Sequence, residues 1–134
     1  MKHLFIPSEL AIWAEELGFK EDCLGYYNEV AHTGKWAFER MIWENATNYV
    51  PAPLYQQITD WLRQEHGIEF EIFRMRDFGQ DARYNYAFTK LDKNAKVVAY
   101  YPRMGRSQKT KSYDEALIDL IISSFQLLEK QKNE

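Results

Sequence analysis

Cys23 and His32 stand nine residues apart. A thiol with an imidazole beside it is the pair from which a cysteine nucleophile is built, because the thiolate forms readily only where a neighbour lowers its pKa. No local signature accompanies the two, and a lone cysteine also reads as a small buried apolar side chain. Cys23 is the chain's single cysteine, which excludes an intrachain disulfide and a cysteine-based zinc site and fits a reducing compartment. His3, His32 and His66 lie far apart without H-x-x-x-H spacing, so no metal site is expected. His66 is placed to meet the carbonyl end of a helix, where a cation is favoured. Glu69 and Glu71 project from one face of a strand. Paired carboxylates are what glycoside hydrolysis requires, but acids alternating with Ile68, Phe70 and Ile72 are equally the solvent face of a half-buried strand. Gly105 stands alone in Met104-Gly105-Arg106-Ser107, without the further glycine and lysine of a phosphate-cradling loop. No catalytic constellation emerges, and no cofactor is expected.

The basic stretch toward the C-terminus is the best candidate for binding. Arg103, Arg106, Lys109 and Lys111, beside Tyr100 and Tyr101, combine phosphate-seeking charge with rings on which bases can stack. The same charges also suit a solvated loop that offsets an acidic first half. Residues 1–66 carry five basic and ten acidic side chains, residues 67–134 twelve and ten, and residues 90–111 seven basic against the single acid Asp92. The whole chain is at −3, which argues against a protein that coats nucleic acid or an anionic membrane. Aromatic residues make up 16% of the chain, Trp13, Trp36, Trp43 and Trp61 among them, enough to supply a protein-partner or self-association surface as well as a core.

These residues must be positioned by elements that the hydrophobic period reveals. Leu10, Trp13, Ala14 and Leu17 share one helical face over Glu9–Leu17, with Ser8 as the expected N-cap and Gly18 as the stop. Residues 20–50 are ambiguous: Leu24-Gly25-Tyr26-Tyr27 can open a strand, while Trp36, Phe38 and Ile42 suit a strand and Phe38, Met41, Ile42 and Trp43 a helix. Pro51-Ala52-Pro53 leads into a helix over Leu54–His66 with Leu54, Ile58, Trp61 and Leu62 inward, ended by Gly67. From Ile68 the period changes to two, and three strands follow, over 68–73, 84–89 and 97–101. Asp92-Lys93-Asn94 makes a hairpin between the last two and Asp77–Ala82 a longer turn between the first two, so the pairing is antiparallel. Ser112-Tyr113-Asp114-Glu115 is a capping box, and Leu117, Leu120, Ile121, Ser124, Phe125 and Leu128 continue one helical face.

The expected fold is therefore α+β in two layers: a three-stranded antiparallel sheet with two helices on one face, in the order α-β-β-β-α from residue 51, plus an N-terminal helical extension over 1–50. With 134 residues, the whole chain is expected to be a single domain. The longest later apolar run, Val97–Tyr101, is far shorter than a membrane helix needs, and Pro7 and Ser8-Glu9 interrupt the N-terminal one. A cytoplasmic protein that does not engage a membrane is the expectation.

Gly18-Phe19, Cys23-Leu24-Gly25-Tyr26-Tyr27, Pro51-Ala52-Pro53-Leu54-Tyr55-Gln56-Gln57, Trp61-Leu62-Arg63, Gly67-Ile68 and Ser112-Tyr113-Asp114-Glu115-Ala116-Leu117 resemble a family of small uncharacterised proteins encoded in phage-like and mobile elements of gut bacteria. The resemblance implies a genetic setting and carries over no catalytic or binding residue. The α-β-β-β-α order is also similar to that of the double-stranded-RNA-binding domain. That family, however, places a Gly-Pro-x-His loop where this chain has Phe78-Gly79-Gln80-Asp81-Ala82-Arg83, and a lysine cluster where Asp114 and Glu115 stand. Acids in the first turn of a helix repel phosphate. Together these features predict a non-enzymatic binding or accessory protein acting through protein contacts, with a nucleic-acid-binding module that uses residues 103–111 as the alternative.

Overall fold

The computed structural model describes residues 4–30, 33–42, 48–75, 83–102 and 112–133. Their elements run in the order α1 (Ser8–Glu16), β1 (Gly25–Glu29), β2 (Trp36–Glu39), β3 (Tyr49–Ala52), α2 (Tyr55–His66), β4 (Ile68–Met75), β5 (Arg83–Leu91), β6 (Val97–Pro102) and α3 (Tyr113–Lys132). The α+β class follows, with two antiparallel three-stranded sheets, β2-β1-β3 and β4-β5-β6. The chain divides into two compact units, Met1–Asp60 and Trp61–Glu134, with the division inside α2.

In the first unit, α1 starts one residue earlier than its periodicity suggests. Pro7 takes the N-cap position with extended backbone, and no side chain caps the helix; Ser8 is the first helical residue instead of the cap. Leu10, Ala11 and Ala14 are its buried positions, so the inward face is narrower than the expected stripe through Trp13 and Leu17. The other end closes as its glycine requires. Gly18 adopts φ +106°, its N–H reaches the Glu15 carbonyl and the Phe19 N–H that of Ala14, the paired bonds of a Schellman stop.

The N-terminal extension is not simply helical, because after α1 it supplies the strands of a three-stranded sheet. β1 is its central strand, with Tyr27 opposite Phe38 of β2 on one side and Val50 of β3 on the other. The ambiguity over Trp36–Phe38 resolves as a strand: only strand pairing lets Phe38 meet both Tyr27 and Phe5, its ring centroids 5.8 Å and 4.5 Å from theirs. Pro51 ends the ladder's use of one donor, a position tolerated on an edge strand such as β3. The segment before α1 is tied down by Ile6 N–H to Pro53 carbonyl (3.0 Å) and by the buried Tyr27 hydroxyl, which donates to the Ile6 carbonyl at 2.5 Å.

The second unit contains the expected β-β-β-α order. β4 pairs with β5 over eight residue pairs, from Ile68 opposite Lys90 to Met75 opposite Arg83. β5 pairs with β6 in turn. The Asp92 carboxylate nucleates the hairpin between them by accepting from the Asn94 and Lys96 N–H groups (2.8 and 2.9 Å), the local bonding for which aspartate is favoured in turns. The expected turn over Asp77–Ala82 lies outside the described residues. Ser112 caps α3, its hydroxyl accepting from Glu115 N–H at 3.2 Å. The Glu115 carboxylate returns to the Ser112 hydroxyl (3.3 Å), where a full capping box would have it reach the Ser112 N–H.

Sequence alternation then gives the second sheet two unlike faces. Ile68, Tyr86 and Phe88 are buried on one, together with Ala116, Leu120, Ile121, Phe125 and Leu128 of α3. Tyr86 shares a 2.6 Å hydrogen bond with Ser123 of α3, and Trp61 stands edge-on to Phe125 with centroids 6.4 Å apart. Glu69, Glu71, Ala87 and Thr89 belong to the other face.

Candidate functional site

The opposite face of the second sheet holds a shallow groove of about 230 Å³ lined by Glu69, Phe70, Glu71, Ala87, Phe88 and Thr89. Its shape follows from side-chain size. Glu69 lies opposite Thr89 and Glu71 opposite Ala87, so on the central strand short side chains leave a trough beside two long carboxylates. Phe70 and Phe88 point the other way by strand alternation and contribute their backbone to the floor. Both glutamates are exposed. Glu69 meets Arg63 Nε at 3.5 Å, with more than half of the Glu69 side chain still open to solvent, while no ion pair joins Glu71 to a cation among the described residues. The groove is an acidic surface with a threonine hydroxyl at one end, suited to cationic or hydrogen-bond-donating groups.

As a hydrolytic pair Glu69 and Glu71 lack the environment such chemistry uses. The reacting carboxyls of such a pair flank an enclosed substrate, and these two are exposed on the surface of the sheet. The other titratable candidates differ in kind. Burial, with the carboxylates of Glu21 and Asp22 adding to it, pushes the half-buried Cys23 thiol up to about 11, so near neutral pH it is protonated and a poor nucleophile. Its S–H lies 3.5 Å from the Glu21 carbonyl. His32 lies outside the described residues. Among the described residues no group of three or more His, Cys, Asp or Glu side chains could hold a metal, and no helix is long and apolar enough to cross a membrane.

A second depression, of about 380 Å³, lies where α2 ends and the β5–β6 hairpin begins, with His66, Gly67, Lys90 and Lys93 in its wall. His66 stands with Arg63 in the last turn of α2, at the carbonyl end where it was expected. Lys90 Nζ donates to the His66 carbonyl at 2.7 Å, so the lysine caps the helix. Burial and then the Lys90 charge hold the imidazole below its usual pKa, with Glu65 pulling weakly the other way. Desolvation likewise lowers Lys90.

Of the residues selected from sequence for nucleic-acid binding, Tyr100 and Tyr101 occupy β6 in register with Thr89 and Phe88. Arg103, Arg106, Lys109 and Lys111 lie outside the described residues. The groove itself escaped sequence reading because it depends on which residue of β5 faces which residue of β4. Its only sequence trace is Ala87 and Thr89 in a strand otherwise rich in large side chains, together with Glu69 and Glu71 at alternate positions. Asn28 left no trace at all. It is fully buried on β1, the central strand of its sheet, and neither polar atom of its carboxamide has a hydrogen-bond partner among the described residues.

No model of a known protein family matches this chain, nor does any curated protein or solved structure.

Proposed function

We propose that this chain is a non-enzymatic binding module that acts through protein contacts, an accessory protein of a phage-like or mobile element as the resemblance of its motifs implies. The observation that carries this reading is the open face of the second sheet, where Glu69 and Glu71 border a groove that nothing among the described residues fills. An exposed groove on a sheet face is a ready interaction surface, and here Glu69, Glu71 and Thr89 are reached by solvent while Asn85 and Ala87 of the same face are buried. Its carboxylates favour basic protein groups and repel phosphate, which sets a protein partner ahead of a nucleic acid there.

The nucleic-acid reading draws support from the charge of residues 90–111 and from Lys93 and Lys96, both exposed at the β5–β6 hairpin. One capture experiment separates the two. Full-length protein and its Glu69→Lys/Glu71→Lys double variant serve as baits in host extract, with and without nuclease. Retention of defined proteins by the unaltered chain, insensitive to nuclease and lost in the double variant, supports the protein-contact reading. Retention that nuclease abolishes, or that the two baits share equally, overturns it.

A further inference from the structure

The four edge strands of the two sheets are protected from stray pairing to different degrees. β2 and β3 are four residues long, and β3 contains Pro51. β6 has six residues, ends in Pro102, and joins a ladder whose register shifts at Lys90/Leu91. Shortness, proline and irregularity are among the means of blunting an edge, and charged side chains are another. β4 has only the last, in Glu69, Glu71 and Arg74. It runs for eight residues without proline or bulge, and among the described residues no strand pairs with its outer side. Leu91 N–H donates to the Gly67 carbonyl (2.9 Å), and the ladder alternation this sets turns the N–H and C=O groups of Phe70, Ile72 and Arg74 away from β5.

Resting on the protein-contact reading above, we propose that the outer edge of β4 receives an extended segment of a partner protein as an added strand, with lysine or arginine beside Glu71. The phase of the ladder places Glu69 and Glu71 at the closely spaced, non-hydrogen-bonded positions of such a pairing, where opposite side chains approach most closely. On the other face Ile72 is half-buried and apolar, and the half-buried Phe70 ring carries the Arg63 guanidinium 5.9 Å from its centroid, the same group that meets Glu69, so Glu71 is the carboxylate left for a partner's cation. A second copy of β4 is a poorer occupant. Twofold pairing of two such edges gathers four carboxylates on one face, where like charges oppose association.

The test uses full-length protein, a short peptide alternating lysine with valine, and the same peptide with glutamate for lysine. Expected are saturable, salt-sensitive binding of the lysine peptide, slowed hydrogen exchange at the Phe70, Ile72 and Arg74 amides in the complex, and little binding of the glutamate peptide. Glu71→Lys, at an exposed position that leaves the ladder intact, is expected to weaken the lysine peptide by about tenfold, the combined effect of a lost attraction and a new repulsion. Binding that Glu71→Lys weakens but that leaves those three amides unprotected overturns strand addition while leaving the acidic face as a protein contact. Protection of the same amides by raised protein concentration alone identifies a second copy as the occupant and also overturns the proposal. Failure of both peptides to bind overturns it outright, whereas the broader reading stands or falls by the capture experiment.

Discussion

Asn28 and His66 are the side chains whose surroundings differ most from what their own chemistry prefers. A buried carboxamide without partners costs roughly 1–3 kcal/mol relative to a satisfied or apolar group. Asn28→Val, which puts a β-branched residue in a central strand, is therefore expected to stabilise the protein by about 1 kcal/mol or more in urea denaturation. Unchanged or reduced stability would show that the carboxamide is satisfied in solution. For His66 the folded pKa lies below the ordinary 6.5 because of burial and Lys90. As pH falls through 6.5, the unfolded chain takes up the proton first, so the stability associated with neutral His66 is complete above that value and drains away as pH drops toward the folded pKa. The midpoint of urea unfolding should decline between about pH 7.5 and pH 5.5 more steeply in the unaltered protein than in His66→Gln; parallel declines would remove His66 as the cause. Asn28 left no mark in the sequence, and His66 stood out there only for its place at a helix end, since burial and the approach of Lys90 are products of packing.

Helix ends and strand periods were the elements most legible from local pattern. Gly67 shows why. It sits at φ +65°, and a Cβ there would lie 2.6 Å from the Leu91 carbonyl oxygen, a backbone atom unable to swing aside. Gly67→Ala is expected to cost about 2 kcal/mol or more, the left-handed penalty plus displacement of β5; a loss within about 0.5 kcal/mol of zero in urea denaturation would contradict the close approach. The stop of α1 at Gly18, the Ser112 cap and the period-two strands from Ile68 were readable for a similar reason, since each depends on a few neighbouring residues. The sheet over residues 25–52 was not. Its strands are four or five residues long, too short for periodicity to choose between strand and helix around Phe38, and the choice is made by Tyr27 and Phe5 from elsewhere in the chain. The start of α1 was misread because Ser8 has the chemistry of a cap, while Pro7, with its fixed φ, occupies the cap position.

At the scale of the whole molecule, charge is the property that bears most directly on partners. The net −3 and the acidic open face both oppose a polyanion, so labelled single- and double-stranded DNA and RNA are expected to bind weakly at low salt and not at physiological salt. Saturable binding that survives physiological salt, and that weakens when Arg103, Arg106, Lys109 and Lys111 are changed to alanine, would reverse the order of the two readings. Composition and hydrophobic period by themselves determined the α+β class, the β-β-β-α order after residue 67 and the positions of most helix ends, because these follow from contacts between residues a few positions apart. The tertiary structure alone decided that strands within residues 25–52 build a further sheet, that Lys90 caps α2, and that Glu69, Glu71, Ala87 and Thr89 form one groove. Those outcomes depend on register and burial between segments distant in sequence, and a one-residue shift between β4 and β5 would have placed other side chains opposite the two glutamates.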